Sequence, residues 1–312
     1  MRCYLIDDIQ SERFIQIDDH NVLKVWTNNP ANIEKLLKKF ATNLRKIMIE
    51  DRCWEDIPPF FYKSLTKCTK LTHLELDFQR SGLMERFLEI LPTKKLEHLS
   101  LHLWKENNGV QSQLSYLIKN VLAKTPKLKS LNFNHMPISG LSSLGGMGTL
   151  KALSLSGDDL PHLNFNIEEL RNLEMLEISY SKIDNAANII ALLKKCRKVH
   201  TVQFSSTDIF PETVLNEMMS LPNLRRLHLH TDNNTYESWH KFSNLEEILI
   251  VQSEPLSSTR NQIKSFLQRS KNLKLYDFEI RNQHNDFGIF IHEVASDIGH
   301  ECKRHRSIAW NW

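Results

Sequence analysis

Three apolar positions in the spacing apolar-x-x-apolar-x-apolar recur ten times along the chain, and successive copies begin roughly 21 to 32 residues apart. The last two positions of each copy are two residues apart, so they share one face of a short strand. The first position lies three residues earlier, where the chain enters the strand. The ten sets are Leu44/Ile47/Ile49, Leu71/Leu74/Leu76, Leu96/Leu99/Leu101, Leu128/Leu131/Phe133, Leu150/Leu153/Leu155, Leu173/Leu176/Ile178, Val199/Val202/Phe204, Leu224/Leu227/Leu229, Leu245/Ile248/Ile250 and Leu273/Tyr276/Phe278.

Each copy presents three apolar side chains that it is too short to cover, so stacked copies must share one core. The segments between the strands carry apolar residues at helical spacing, which predicts amphipathic helices. Together these features predict an α/β leucine-rich-repeat solenoid, with a curved parallel sheet on the concave side and helices on the convex side. The predicted helices are Ser112–Lys124, Asn185–Lys195, Glu212–Ser220 and Thr259–Arg269.

The ends of the chain depart from the repeat, as expected for solenoid caps. Residues 1–43 predict an N-terminal cap with a degenerate first repeat, in which Phe14–Ile17 or Val22–Trp26 adds a strand. Residues 44–283 hold about ten repeats, and residues 284–312 a capping helix at Phe287–Cys302 followed by a tail. Trp310 and Trp312 either cover this cap or form a short recognition tail. No segment rich in Gly, Pro or Ser divides the chain, which predicts one array.

Composition narrows the choice of partners and compartment. The formal net charge of +3 and the 25% of charged residues give no strong overall field, so we expect no nucleic-acid partner. No apolar run approaches the ~20 residues of a membrane helix, so we expect no membrane partner. The N-terminus lacks the pattern of a signal peptide, and the five cysteines are odd in number and widely scattered. These features favour a reducing compartment, the cytoplasm or the nucleus.

The repeat resembles the cysteine-containing class of leucine-rich repeats found in F-box/leucine-rich-repeat proteins. The resemblance is carried by the ten sets and by Cys68 and Cys196, each three residues before the first apolar anchor, where we interpret the thiols as packing groups. It implies a substrate-recognition role in a ubiquitin ligase, with a Skp-type adaptor and a cullin as partners if an F-box lies upstream. Residues 1–40 lack the Leu-Pro-x-Glu opening of an F-box, and the column that usually holds Asn or Cys after each strand holds other residues.

The positions that alternate with the strand anchors face the predicted concave surface, where proteins of this fold usually hold a partner. They are small and polar in the middle of the array and richer in histidine on either side, which suits a protruding loop or peptide of a partner protein. The alternative is that small polar residues merely tolerate solvent there. The candidate partner-binding residues are His73, Glu75, His98, His102, Asn132, Asn134, Ser154, Glu177, Tyr180, Gln203, Arg226, His228 and His230.

The histidines do not predict a metal site. His98 and His102 are four residues apart on a strand, a separation of about 13 Å, too far to share an ion. The set His200, His228 and His230 has no accompanying acid or thiol, and the His and Cys residues of the C-terminal tail fit no zinc spacing. The tail residues in question are His292, His300, Cys302 and His305.

No phosphate loop or catalytic motif is present in the sequence, so we expect neither cofactor nor catalytic residue. Three functions follow in order of preference. The first is a non-enzymatic substrate-recognition module of an F-box-type ligase, the second a stand-alone binding or inhibitor protein, and the third, remotely, an enzyme or enzyme activator. Outside its complex, the chain is expected to be a monomer.

Overall fold

The computed structural model describes residues 4–5, 15–17, 22–25, 37–51, 63–78, 81–91, 93–103, 111–135, 148–159, 170–182, 186–206, 212–231, 241–242, 244–252, 259–280 and 303–304. The chain forms two compact units. Unit 1 comprises Met1–Ser154 with Leu163–Leu170, and unit 2 comprises Leu155–His162 with Arg171–Trp312.

Unit 1 contains a sheet whose strands follow one another in chain order. The first three strands pair antiparallel, and from the third strand onward every pair is parallel. The strands are β1 (Tyr4–Leu5), β2 (Ile15–Ile17), β3 (Val22–Val25), β4 (Lys46–Asp51), β5 (His73–Phe78), β6 (His98–Leu103) and β7 (Ser130–Asn134), and β8 (Ala152–Asp159) begins in this unit.

Strand burial in unit 1 alternates with period two, because successive side chains of a strand point to opposite faces. In β5 and β6, half-buried and buried residues alternate along the whole strand, beginning with a half-buried one. Helix α1 (Ser81–Ile90) contacts β5 and helix α2 (Gln111–Ala123). Phe78 at the end of β5 lies against Phe87 of α1, with ring centroids 5.1 Å apart. A short 3₁₀ helix, Thr93–Lys95, precedes β6.

Unit 2 repeats this arrangement. Its strands from β9 to β14 pair only in parallel, each with its successor in the chain. Helix α3 (Ala186–Lys195) contacts α4 (Glu212–Met219), and each helix has three buried side chains. The elements are β9 (Met175–Lys182), α3 (Ala186–Lys195), β10 (Thr201–Ser206), α4 (Glu212–Met219), β11 (Arg226–Thr231), β12 (Glu247–Gln252), α5 (Thr259–Arg269), β13 (Leu275–Ile280) and β14 (Lys303–Arg304).

The turn before each strand ties neighbouring repeats together through the backbone. The Arg45 carbonyl accepts hydrogen bonds from the N–H groups of both Thr72 (2.9 Å) and His73 (3.0 Å), and the Thr72 carbonyl does the same one repeat later. In unit 2 the His200 carbonyl accepts from Arg225 and Arg226, each at 2.9 Å. One carbonyl per repeat therefore fixes where the next strand begins, which keeps equivalent residues side by side.

These pairings confirm the predicted fold class within each unit: parallel strands in repeat register, joined by helices, as in an α/β leucine-rich-repeat solenoid. Three predicted helices are confirmed to within two residues, and α5 has the predicted bounds. Helix α1 was not predicted. The predicted N-terminal strands exist as β2 and β3, although they pair antiparallel. The capping helix predicted at Phe287–Cys302 lies outside the described residues, as do Trp310 and Trp312.

Within the described part of the chain, no helix combines the length and the apolar composition needed to cross a bilayer.

The alternating burial generates a test that uses two adjacent residues of β6. Leu101 is fully buried, whereas Ser100 lies on the opposite face and is half-buried. We expect Leu101→Arg to remove about 1.5–3 kcal/mol of burial and to place an unpaired charge in the core, so the variant unfolds or melts far below the wild type. The matched variant Ser100→Arg is expected to melt near the wild type. Similar melting curves for the two variants would contradict the assigned register.

Candidate functional site

The strand positions that alternate with the buried anchors form a second surface in each unit, which we call the open face. Its residues align in columns, because each parallel pair joins equivalent positions: Lys46, His73, His98 and Ser130 form one column of unit 1. The open face of unit 1 comprises Lys46, Met48, His73, Glu75, Asp77, His98, Ser100, His102, Ser130, Asn132 and Asn134.

Two imidazoles of this column stack on each other. The rings of His73 and His98 lie 4.0 Å apart at their centroids and are tilted by only 10°. Thr72 Oγ1 lies 2.8 Å from His73 Nδ1 and fixes the orientation of this ring. The stack is a consequence of register, since neighbouring strands bring directly opposite side chains within contact distance.

The surroundings of the stack favour neutral imidazoles. Burial lowers the pKa of His73 to about 4, and the positive charges that His98, Lys46 and Lys129 carry when protonated add to this effect, against a smaller opposing effect of Glu97. Burial also lowers the pKa of His98, although Glu97 partly opposes the shift. At neutral pH the pair is therefore uncharged, which is the state compatible with ring stacking.

Further contacts hold other open-face groups of unit 1. Asp77 Oδ2 lies 3.3 Å from His102 Nδ1, and Lys46 Nζ lies 3.7 Å from Glu75 Oε2. The His102 ring also stacks with His135, at 6.0 Å between centroids. His135 follows β7 with a φ of 53°, a left-handed conformation uncommon for a residue other than glycine. The chain thus leaves β7 in a way that places this imidazole beside the open face.

The open face of unit 2 is cross-linked by hydrogen bonds between adjacent strands. Gln203 Nε2 donates to Glu177 Oε1 at 3.1 Å, and Ser205 Oγ lies 3.2 Å from His230 Nδ1. These bonds join β10 to its neighbours on both sides.

A buried polar cluster lies beside these bonds, between β11 and β12. His228 Nε2 is 2.9 Å from Glu247 Oε1, and Arg226 Nε is 3.4 Å from Glu247 Oε2. The side chains of His228 and Glu247 are only 5% and 6% exposed, whereas Arg226 is 46% exposed. The carboxylate is thus enclosed, and its charge is compensated by a guanidinium that reaches solvent.

Ten of the thirteen predicted partner-binding residues are at least partly exposed and alternate with the strand anchors. Ser154 and His228 also alternate with the anchors but are buried. The prediction for Tyr180 was wrong. This residue has the parity of Leu176 and Ile178, pairs in register with Ser206 and is 3% exposed, so it belongs to the core. The partly exposed members are His73, Glu75, His98, His102, Asn132, Asn134, Glu177, Gln203, Arg226 and His230; that they bind a partner stays a prediction.

Sequence reasoning missed Glu247 as a functional residue. The available signal was charge complementarity: two basic-type side chains, Arg226 and His228, alternate on one strand, and a glutamate occupies the equivalent column of the next repeat. Only the register shows that the carboxylate reaches both groups.

The cysteine interpretation agrees with the packing. Cys68 and Cys196 are buried, and burial raises the pKa of each thiol to about 12, so neither forms a thiolate at neutral pH. Thr125 and Ser270 occupy the same repeat position, and each hydroxyl donates to a carbonyl of the preceding helix, at 2.9 Å and 2.8 Å to the nearest oxygen. The Cys68 thiol makes the same type of bond to the Ser64 carbonyl. In these repeats a small side chain fills the position, whereas Leu170, Leu221 and Phe242 fill it elsewhere, so the common property of the column is burial.

The described residues contain no group of three or more His, Cys, Asp or Glu side chains arranged to hold a metal ion. His200, His228 and His230 instead engage three different partners, at Thr201, Glu247 and Ser205. The tail residues His292, His300, Cys302 and His305 lie outside the described residues.

The depressed pKa of His73 predicts a pH dependence of stability. Between the ordinary value of about 6.5 and a folded-state pKa of about 4, the unfolded chain binds a proton that the folded chain does not. The neutral His73 therefore costs the folded state nothing above pH 6.5. The free energy of unfolding decreases as the pH falls from 6.5 towards 4. We expect His73→Gln to lose less melting temperature than the wild type between pH 7 and pH 4, measured by circular dichroism. A matched variant, His200→Gln, changes a histidine that is 43% exposed. If the melting temperatures of the two variants changed equally with pH, His73 would not be the group responsible.

Adjacent glutamates of unit 2 test the buried cluster. Glu247 is 6% exposed and contacts two basic-type groups, whereas Glu246 is 37% exposed and pairs with Lys274 and Arg225 at the surface. We expect Glu247→Ala to cost about 3–5 kcal/mol of unfolding free energy, since it leaves buried polar groups without their carboxylate. Glu246→Ala is expected to cost less than about 1 kcal/mol. Urea titration of both variants gives the comparison, and a cost for Glu247→Ala no larger than that for Glu246→Ala would show that the cluster is not a stabilising element.

Comparison with known proteins finds similar solved structures and no matching family. No family model and no curated protein matches it. Among solved structures, it is similar to an internalin of Listeria monocytogenes (18% identity, 93% of this chain and 82% of the other, TM-score 0.44). It is also similar to the leucine-rich-repeat-containing protein LegL7 of Legionella pneumophila (15%, 90% and 98%, 0.49) and to human 5T4, the trophoblast glycoprotein (15%, 83% and 77%, 0.32). The sequence repeat and the strand register of each unit show that the chain has an α/β leucine-rich-repeat fold.

Proposed function

We propose that this chain is a non-enzymatic protein-interaction module, and that the open face of its parallel sheet is the surface that contacts the partner. The observation that carries the proposal is the fixed polar surface itself: side chains of neighbouring strands are held by one another, as in the Gln203–Glu177 bond and the Asp77–His102 contact. Because these groups are already ordered before binding, less conformational entropy is lost when a partner binds.

The chemistry of the open face supports a protein partner. It combines imidazole rings and amides, which donate and accept hydrogen bonds, with carboxylates, which accept them, over several adjacent strands. A polar surface of this kind suits the mixed contacts of non-obligate protein interfaces. Half-buried groups such as His98 and Asn132 have their orientation set by the packing around them. Recognition then depends on the spacing of fixed donors and acceptors across the columns.

The finer proposal is that the module recognises the substrate of an F-box-type ubiquitin ligase in the cytoplasm or the nucleus. Its support is the resemblance of the repeat, with Cys68 and Cys196 at the cysteine position. In that case a Skp-type adaptor and a cullin accompany the chain through an F-box supplied upstream. A stand-alone binding or inhibitor protein uses the same face without either component.

The test is quantitative affinity capture of the tagged chain from its native cells, comparing the wild type with Ser100→Arg/Asn132→Arg on the open face of unit 1. We expect the variant to lose its specific partner at least about tenfold, because a bulky charge on each of two adjacent strands disrupts a fitted surface. The control Asn261→Arg/Gln268→Arg adds the same charge at two exposed positions of α5 and is expected to keep the partner.

The same experiment separates the finer alternatives. Co-purification of an adaptor and a cullin with the wild type supports the ligase role. A specific partner without those two proteins supports the stand-alone role. Undiminished capture by the open-face variant would mean that the partner binds elsewhere.

A further inference from the structure

The turns that lead into the strands of unit 1 are strongly basic, although the whole chain has a net charge of only +3. These turns are residues 41–46, 66–73, 93–98, 124–130 and 148–152, and we call them the basic edge. They contain ten lysine and arginine side chains against one carboxylate, that of Glu97. Nine of the ten are exposed, and Lys46 is half-buried; the set is Arg45, Lys46, Lys67, Lys70, Lys94, Lys95, Lys124, Lys127, Lys129 and Lys151.

The backbone brings these turns together at one edge of the sheet. The carbonyls of Arg45, Thr72, Glu97 and Lys129 each accept two N–H groups from the turn of the following repeat. Consecutive turns are therefore direct neighbours at about the 4.8 Å spacing of strands. Charges that are 22 to 32 residues apart in the sequence become one continuous row.

Little of this charge is neutralised within the basic edge. Glu97 pairs with Lys129 at 2.8 Å, and this bond lowers the pKa of the Glu97 carboxyl group. Lys46 meets Glu75 of the open face, and Lys70 donates to the neutral amide of Asn43. Within these turns ten cations stand against one carboxylate, so the turns themselves carry a net positive charge.

The helix dipole accounts for part of this composition in both units. Cations are favoured near helix C-termini, and both units have helices that end before these turns. In unit 2 the equivalent turns, residues 170–175, 194–201, 219–226, 241–247 and 268–275, contain eleven lysine and arginine residues against three carboxylates, those of Glu174, Glu246 and Glu247. Arg225 and Lys274 both pair with Glu246, at 3.8 Å and 2.9 Å. The turns of unit 1 therefore differ from those of unit 2 in holding one carboxylate instead of three.

We propose that the basic edge of unit 1 binds an extended, acidic segment of a protein partner. The proposal rests on the proposed function in that the partner is a protein, and it assigns a second contact surface and its chemistry. Carboxylates on one side of an extended chain lie about 6.6–6.8 Å apart, and long flexible lysine side chains adapt to this spacing from a row at about 4.8 Å.

Two features favour a protein segment over nucleic acid. Nine of the ten cations are lysines, which act as point charges. The basic edge contains no Phe, Tyr or Trp on which a base could stack, and its two imidazoles, His73 and His98, already stack on each other. The large exposed hydrophobic side chain of the described residues, Tyr116, lies on α2, outside these turns.

The experiment measures binding of a fluorescent 20-residue poly-glutamate peptide to the full chain by anisotropy at low salt. The test variant is Lys67→Gln/Lys94→Gln/Lys95→Gln/Lys127→Gln. The control is Lys194→Gln/Lys195→Gln/Lys264→Gln/Lys271→Gln, which removes the same number of exposed charges from unit 2. Thermal unfolding of both variants confirms that they fold. We expect the test variant to bind about tenfold or more weakly, with a shallower salt dependence, and the control to change by less than about twofold.

Equal losses in the two variants would overturn the proposal, because binding would then follow net charge and not the edge. Tighter binding of a 20-residue oligouridylate, or of phosphatidylserine vesicles, than of poly-glutamate would also overturn it. The variant Ser100→Arg/Asn132→Arg is expected to retain poly-glutamate binding. If that variant also keeps its cellular partner, the open face fails as the contact surface while the basic edge stands, so the two proposals are tested separately.

Discussion

The structure of each unit depends on one repeated backbone contact: the carbonyl of the residue before a strand accepts two N–H groups from the same point of the next repeat. This contact sets the start of each strand, and parallel pairing carries the register to its end. A slip of one residue would move every apolar anchor to the opposite face. The core, the open face and the basic edge are therefore three results of a single alignment.

Exact alignment of columns explains why polar chemistry accumulates on one face. His73 stacks on His98 because the two residues are register partners. The carboxylate of Glu247, on the adjacent strand, reaches His228. Burying such groups is costly unless they are paired, so each buried group is tolerated only while its partner is present. Preorganisation of the surface and sensitivity to substitution have the same cause.

The two units differ in the number of carboxylates at equivalent turns, one in unit 1 and three in unit 2. In unit 2, glutamates occupy the column beside Arg225 and Lys274 and join successive repeats by ion pairs. In the described turns of unit 1, Glu97 pairs with Lys129, and Lys46 pairs with Glu75 of the next strand. Repeated architecture permits such a division, because each repeat contacts its neighbours and tolerates a local change of surface charge.

The sequence by itself determined the repeat, the anchors and four helices to within two residues, because period-two and helical spacing are local properties of the chain. It also identified the cysteine column as packing, since Cys68 and Cys196 share one repeat position. Tertiary structure decided which polar residues meet. Tyr180 belongs to the core, Glu247 joins His228, and lysines scattered over many repeats form one edge. These outcomes depend on register between strands that are 19 to 32 residues apart, which no local pattern contains.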